Sequence, residues 1–201
     1  MKDDIKTLAV AVCQFFAGAL LSVAAFYLYI YSAEHRLETE SLIEIAQETA
    51  VGIGAVFMYA SARARRDFAG GLLLIAGFLT ALFIRELDAY FDVIVHGFWK
   101  YILIIYLCGL ALLIVKAGRE TILPGLAGFI RSSAFPLMLV GTVMVIVYSR
   151  LYGFKGLWAL YGQGCAWGDI KSFSEETSEL IGYTLMCVSA LFYRYRSIRE
   201  G

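Results

Sequence analysis

The sequence is poor in charged residues and in proline, and this scarcity already excludes several classes of protein. Charged residues make up 17% of the 201 positions, and only two prolines occur. A soluble globular domain carries about 25% charged residues. Ten-residue segments that alternate apolar and polar residues are absent, which argues against an outer-membrane β-barrel. Neither a soluble domain nor a barrel is therefore expected.

Sequence signatures of common catalytic and metal sites are also missing. The chain has four cysteines, and no two of them have the CxxC spacing of a zinc site or a redox pair. It contains no GxSxG motif and no phosphate-binding glycine pattern. Two histidines make a thin ligand set for zinc. We expect the cysteines to be small buried hydrophobic residues.

Long apolar runs are what the sequence has in abundance, because 60% of its residues are hydrophobic. A helix needs about 20 such residues to cross a membrane, and backbone groups in lipid must be satisfied within the segment. The sequence predicts an all-α polytopic membrane protein, a single bundle over residues 1–201. The first run is too long for a signal peptide. The six transmembrane helices are expected at about 7–31, 42–61, 68–85, 95–116, 133–150 and 174–193.

Basic residues concentrate at one set of span ends, and we predict that this side is cytoplasmic. Lysine and arginine are enriched in cytoplasmic connections. Both termini are then cytoplasmic, and the expected location is a bacterial-type inner (plasma) membrane. The basic residues lie in the connections 62–67 and 116–131 and in the C-terminal tail: Arg63, Arg65, Arg66, Lys116, Arg119, Arg131, Arg194, Arg196 and Arg199.

Acidic residues gather at the opposite ends, and several of them fall inside the apolar segments, where a charge is expensive and usually functional. Residues four apart share a helix face, as Glu44 and Glu48 do. If the fourth helix starts early, residues 88–100 form one polar stripe. We expect Arg85 and Lys100 to be internal counter-ions. The predicted site for an ion, a proton or a solute consists of Glu44, Glu48, Glu86, Asp88, Asp92, His96, Glu175, Glu176 and Glu179.

These polar residues allow several interpretations. They could form an ion-pair network that fixes helix register, or a path for protons or cations. In a third interpretation, Glu48, His96 and Glu179 hold a divalent metal, because carboxylates with one imidazole suit Mn, Fe or Ca. In a fourth interpretation, His35 and His96 hold a bis-histidine haem.

The leading functional prediction is transport or sensing of a proton, a cation or a small polar solute in an outward-facing acidic cup. One alternative is a membrane-embedded, metal-dependent enzyme that acts on lipid or quinone. Another is a non-catalytic membrane subunit or signalling partner. The expected partners are membrane lipids and a small ion or polar solute, with no nucleic acid. A homo-oligomer would let so small a protein build a pore.

Two features of organisation complete the prediction. The aromatic, glycine-rich connection 150–173 is expected to be an interfacial or re-entrant lid, or else a simple aromatic belt.

The second and sixth spans resemble each other, which suggests that the chain consists of three helical hairpins. The alternative is that any helix running from the outer to the inner side begins polar and ends basic. At a constant shift, Ser41, Glu44, Glu48, Arg63 and Arg65 match Ser172, Glu175, Glu179, Arg194 and Arg196.

Overall fold

A computed structural model describes residues 2–34, 39–159 and 167–199, and the regular structure in these ranges is helical. Short 3₁₀ turns, Arg66–Phe68 and Arg119–Thr121, precede α3 and α6. The helices are α1 (Lys2–Glu34), α2 (Thr39–Ala64), α3 (Ala69–Glu86), α4 (Asp88–Asp92), α5 (Trp99–Ala117), α6 (Ile122–Ile130), α7 (Phe135–Val143), α8 (Ser149–Gly153), α9 (Lys155–Ala159) and α10 (Trp167–Arg199).

Within the described ranges, four helical segments are long and apolar enough to cross a membrane. They correspond to the second to fifth predicted spans, so the all-α class is confirmed and these four helices are compatible with a membrane protein. The first and sixth predicted spans lie within α1 and α10. That these two also cross, and that both termini are cytoplasmic, stay predictions. The four segments are Leu42–Ala64, Arg66–Glu86, Trp99–Ala117 and Phe135–Gly153.

The fourth of these segments contains an irregularity. A five-residue π-helix, Met144–Tyr148, joins α7 to α8. The Thr142 hydroxyl donates to the Met138 carbonyl at 2.7 Å, and the Ser149 hydroxyl donates to the Val145 carbonyl. Single π turns inside helices are frequent at functional sites. Arg150 lies in the short helix α8 that directly follows this π turn.

The chain divides into two compact units. Unit 1 comprises residues 1–47 and 137–186, and unit 2 comprises residues 48–136 and 187–201. In unit 1, α7 approaches α10 at a pair of glycines, because a Cβ atom on Gly141 would lie 2.5 Å from the carbonyl oxygen of Gly182. Small residues at such crossings let helix backbones come close together. The single bundle expected from the sequence stays a prediction.

In unit 2, α3 packs against both α5 and α6. A Cβ atom on Gly71 would lie 2.6 Å from the carbonyl carbon of Gly125, so α6 rests directly on the backbone of α3. The sequence analysis treated residues 116–131 as a connection and missed this helix. Pro124 obscured it, although proline is tolerated in the first turn of a helix because the amide that it lacks has no partner there.

The polar stripe expected along residues 88–100 is interrupted. Helix α4 ends at Asp92 and α5 begins at Trp99, with turns between them. Gly97 lies in this stretch with a φ of 80°. Only glycine adopts that conformation without steric cost, so the helix breaks at this point. The condition for a continuous polar stripe, an early start of the fourth helix, is therefore not met.

Candidate ion-binding site

An ion pair joins α8 to α10 in unit 1. The Nη2 atom of Arg150 donates to the Oε1 atom of Glu179, and its Nη1 atom lies 3.9 Å from Oε1 of Glu175. Glu179 is only 4% exposed, whereas 51% of the Arg150 side chain is exposed. A buried carboxylate is costly unless it is paired and hydrogen-bonded. Arg150 supplies that partner and also reaches the surface of the unit.

A second cation contacts one of these two carboxylates, Glu175. The Nζ atom of Lys171 lies 2.9 Å from Oε2 of Glu175, one turn further along α10. The other oxygen of Glu175 lies against the backbone of α8, because a Cβ atom on Gly153 would be 2.6 Å from it. Glu175 thus lies between Arg150 and Lys171. Its contact with Lys171 is a charge-assisted hydrogen bond, which is among the stronger kinds, whereas its contact with Arg150 is a longer ion pair.

Helix α2 contributes an amide to the cluster. The Nε2 atom of Gln47 donates to Oε2 of Glu176 at 3.0 Å and to the Glu176 carbonyl oxygen at 3.2 Å. Gln47 is 1% exposed, and Ile43, one turn earlier, packs with Leu180 of α10. The sequence analysis missed Gln47. Its position four residues after Ile43 was the available signal, since residues so spaced share a helix face.

The predicted acids of α2 flank this buried face. Glu44 is exposed and Glu48 is half-buried. Glu48 and Glu179 were both predicted as members of the ion site and as metal ligands. The buried face instead continues from Gln47 to Val51, and both of those residues are at most 1% exposed. Of Glu48 and Glu179, Glu179 is thus the more buried.

Arg85 and Glu86 pair with each other at the end of α3 in unit 2. The Nη2 atom of Arg85 lies 3.2 Å from Oε1 of Glu86, whose side chain is 10% exposed. Asp88, two residues later, is exposed. Arg85 thus pairs with its own neighbour in the sequence, and its role as an internal counter-ion of the ion site stays a prediction.

Asp92 and His96 form a local cap on the turn before α5. One carboxylate oxygen of Asp92 accepts the Gly97 amide at 2.7 Å, and the other lies 2.7 Å from Nδ1 of His96, whose side chain is 97% exposed. The Gly97 hydrogen bond, with smaller contributions from His96 and Lys100, lowers the pKa of Asp92. Lys100 is exposed, with Nζ 5.8 Å from the ring centroid of Trp99.

The contacts give little support to a metal or haem site. In the part of the chain that the structure describes, no group of three or more His, Cys, Asp or Glu side chains is placed to hold a metal ion. Of the three predicted ligands, Glu179 pairs with Arg150 and His96 bonds to Asp92, while Glu48 stays a predicted ligand. The haem hypothesis also needs His35, which lies outside the described residues.

The predicted lid, residues 150–173, is described in part. It contains α9, and the indole Nε1 of Trp158 donates to the Tyr152 carbonyl at 2.6 Å, which ties α9 back to α8. Residues 160–166, with Tyr161 and Cys165, lie outside the described ranges. The lid therefore stays a prediction.

Comparison of the chain with models of protein families, with curated proteins and with solved structures finds no match. The function is therefore inferred from side-chain geometry alone.

Proposed function

We propose that the protein transports or senses a proton or a small cation at the α10 carboxylates of unit 1. The charge balance of this cluster is the observation that carries the proposal. Glu175 and Glu179 pair with Arg150 and Lys171, and Glu176, in the same turn of α10, accepts a hydrogen bond from Gln47. The formal charges of these five ionisable side chains sum to −1. Like charges that share a partly buried site oppose each other, so the site favours uptake of one positive charge.

The geometry of Arg150 supports a two-state response to that uptake. Its guanidinium contacts Glu179 and lies within 3.9 Å of Glu175. When a proton or cation neutralises Glu179, Arg150 loses its strongest partner there and moves toward Glu175. Lys171 then shares Glu175 with Arg150. A ligand shifts such an equilibrium by its differential affinity for the two states.

The sequence beyond Glu179 favours sensing or gated transport over an open channel. From Leu180 to Phe192, α10 carries no charged residue. A continuous charged path along this helix is therefore absent. A bound proton or cation would have to trigger a helix movement, and the Arg150 contacts are suited to report it to α8.

The test is ion flux into proteoliposomes that contain the purified protein, measured with an interior pH dye and with a sodium-sensitive dye. Glu179→Gln and Glu176→Gln each bring the formal charge of the cluster to zero. We expect both variants to lose most of the flux of the wild type. Asp67→Asn, which neutralises an exposed acid in unit 2, is the matched control and should leave flux unchanged.

Two results would contradict the transport form of the proposal. Equal flux in the wild type and both glutamine variants would remove the α10 carboxylates from the function. A wild type that carries no ion, with variants that alter only stability or assembly, would favour the non-catalytic subunit instead.

A further inference from the structure

A groove lies along an exposed face of α5 in unit 2. Its volume is about 480 Å³, within the range of about 300–1,000 Å³ typical of small-molecule sites. Most of the lining residues are spaced three or four apart, so they lie on one side of the helix. The lining consists of Tyr106, Gly109, Leu110, Leu112, Leu113 and Lys116.

The groove is apolar along its length and charged at one end. The Tyr106 hydroxyl lies 2.6 Å from the Tyr59 hydroxyl of α2, so it is already engaged with another helix. Lys116, in the last turn of α5, is exposed and is the charged member of the lining. In the middle of the groove, a Cβ atom on Gly109 would have no heavy atom within 4 Å. The glycine therefore keeps this part of the groove open.

Two short turns with exposed charged residues lie near the charged end. Arg119 belongs to the 3₁₀ turn that contacts both α5 and the turn Arg66–Phe68. Arg66 and Arg119 are both exposed, as are Asp67 and Glu120 beside them, so each turn carries no net charge and Lys116 supplies the excess positive charge. The connection is fixed by Thr121, whose hydroxyl oxygen accepts the Gly70 amide at 2.8 Å. Basic residues beside membrane helices attract anionic lipid headgroups.

We propose that this groove binds one anionic phospholipid, with an acyl chain along the apolar part and the phosphate beside Lys116. The chain fits the leucine-lined length of the groove, and the negative headgroup fits Lys116 at its end. A zwitterionic lipid offers the same chain without net negative charge, so charge is what selects the ligand. The proposal concerns unit 2 and is independent of the ion site in unit 1.

Native mass spectrometry of the full chain in detergent tests the proposal, with phosphatidylglycerol and phosphatidylcholine added at equal concentrations. We expect one phosphatidylglycerol to be retained per chain, with an affinity about fivefold above that of phosphatidylcholine, the effect of one cation near a headgroup. Lys116→Gln should abolish this preference. Lys155→Gln, at another exposed lysine, should keep it.

A second pair of variants tests the groove itself. Gly109→Leu fills open space and should remove retention of both lipids. Gly168→Leu is the matched control, because a Cβ atom on Gly168 also has no heavy atom within 4 Å. Circular dichroism and melting of both variants confirm that they fold.

Four results would overturn the proposal. The first is equal retention of phosphatidylglycerol in the two leucine variants. The second is equal affinity of the wild type for the two lipids. The third is binding of inorganic phosphate that needs Lys116 but is unaffected by Gly109→Leu, which would indicate a phosphate site without a chain groove. The fourth is a lipid-free dimer that Gly109→Leu dissociates, because a second copy would then cover the groove.

Discussion

Replacing Arg150 by methionine should destabilise the protein more than replacing Glu179 by glutamine. Removing one partner of a buried ion pair costs about 3–5 kcal/mol because the other charge is left uncompensated. Glu179 is buried, but about half of the Arg150 side chain is exposed. Water can therefore replace part of the lost contact, and we expect a cost of about 2 kcal/mol for Arg150→Met.

Replacing Glu179 by glutamine should lower the free energy of unfolding less than replacing Arg150 by methionine. In Glu179→Gln the neutral amide oxygen still accepts a hydrogen bond from Arg150, and the guanidinium has Glu175 within 3.9 Å. We expect a loss of about 1 kcal/mol, the usual net contribution of a hydrogen bond. The double variant removes both charges, so it should cost about 1 kcal/mol less than the sum of the single variants.

The measurement is a double-mutant cycle on reversible unfolding of the purified protein in mixed detergent micelles. Lys155→Met is the control, since it removes an exposed cation and should change the free energy of unfolding by less than about 0.5 kcal/mol. Single and double variants that add within about 0.5 kcal/mol would refute the reasoning. A larger loss from Glu179→Gln than from Arg150→Met would refute it as well.

Three further predictions concern other parts of the fold. Gly141→Ala should destabilise by about 1–3 kcal/mol, because its Cβ would press on the Gly182 carbonyl oxygen. Gly109→Ala, in open space, should be neutral or stabilising by up to about 1 kcal/mol. A melting temperature of Gly109→Ala below that of the wild type, or equal to that of Gly141→Ala, would contradict this contrast. The carboxylate of Asp92 should stabilise its turn above the ordinary aspartate pKa of about 3.9 and lose that effect as pH falls through its lowered pKa. An NMR titration of Asp92 and of the Gly97 amide checks this, and a pKa at or above about 3.9 would contradict it.

The apolar runs predicted four spans well, because helices are the default in lipid and the minimum length is fixed by the bilayer. The same reasoning missed α6, a nine-residue helix between Arg119 and Arg131. It is too short to span a membrane, and its Pro-Gly pair resembles a turn. Packing of Gly125 on Gly71 of α3 supports it, and that contact is not visible in the sequence.

The acidic end of α10 was predicted, but its partners were not. Arg150 stood at the end of the fifth predicted span, and nothing in the sequence showed that it reaches Glu179 on another helix. The π turn before Arg150 also shifts the helix register, which a regular 3.6-residue period cannot anticipate. On α2, the charge of Glu48 led to its prediction as a site residue. The spacing of the apolar residues instead places Gln47 on the buried face, where the structure has it.

The most direct test of the central claim is the infrared difference spectrum of the carboxylates in the reconstituted protein, recorded on a change of pH and on addition of sodium. The proposed site predicts a carboxylate change in the wild type that disappears in Glu179→Gln and persists in Asp67→Asn. A spectrum that is the same in the wild type and Glu179→Gln would contradict cation or proton uptake at the α10 carboxylates.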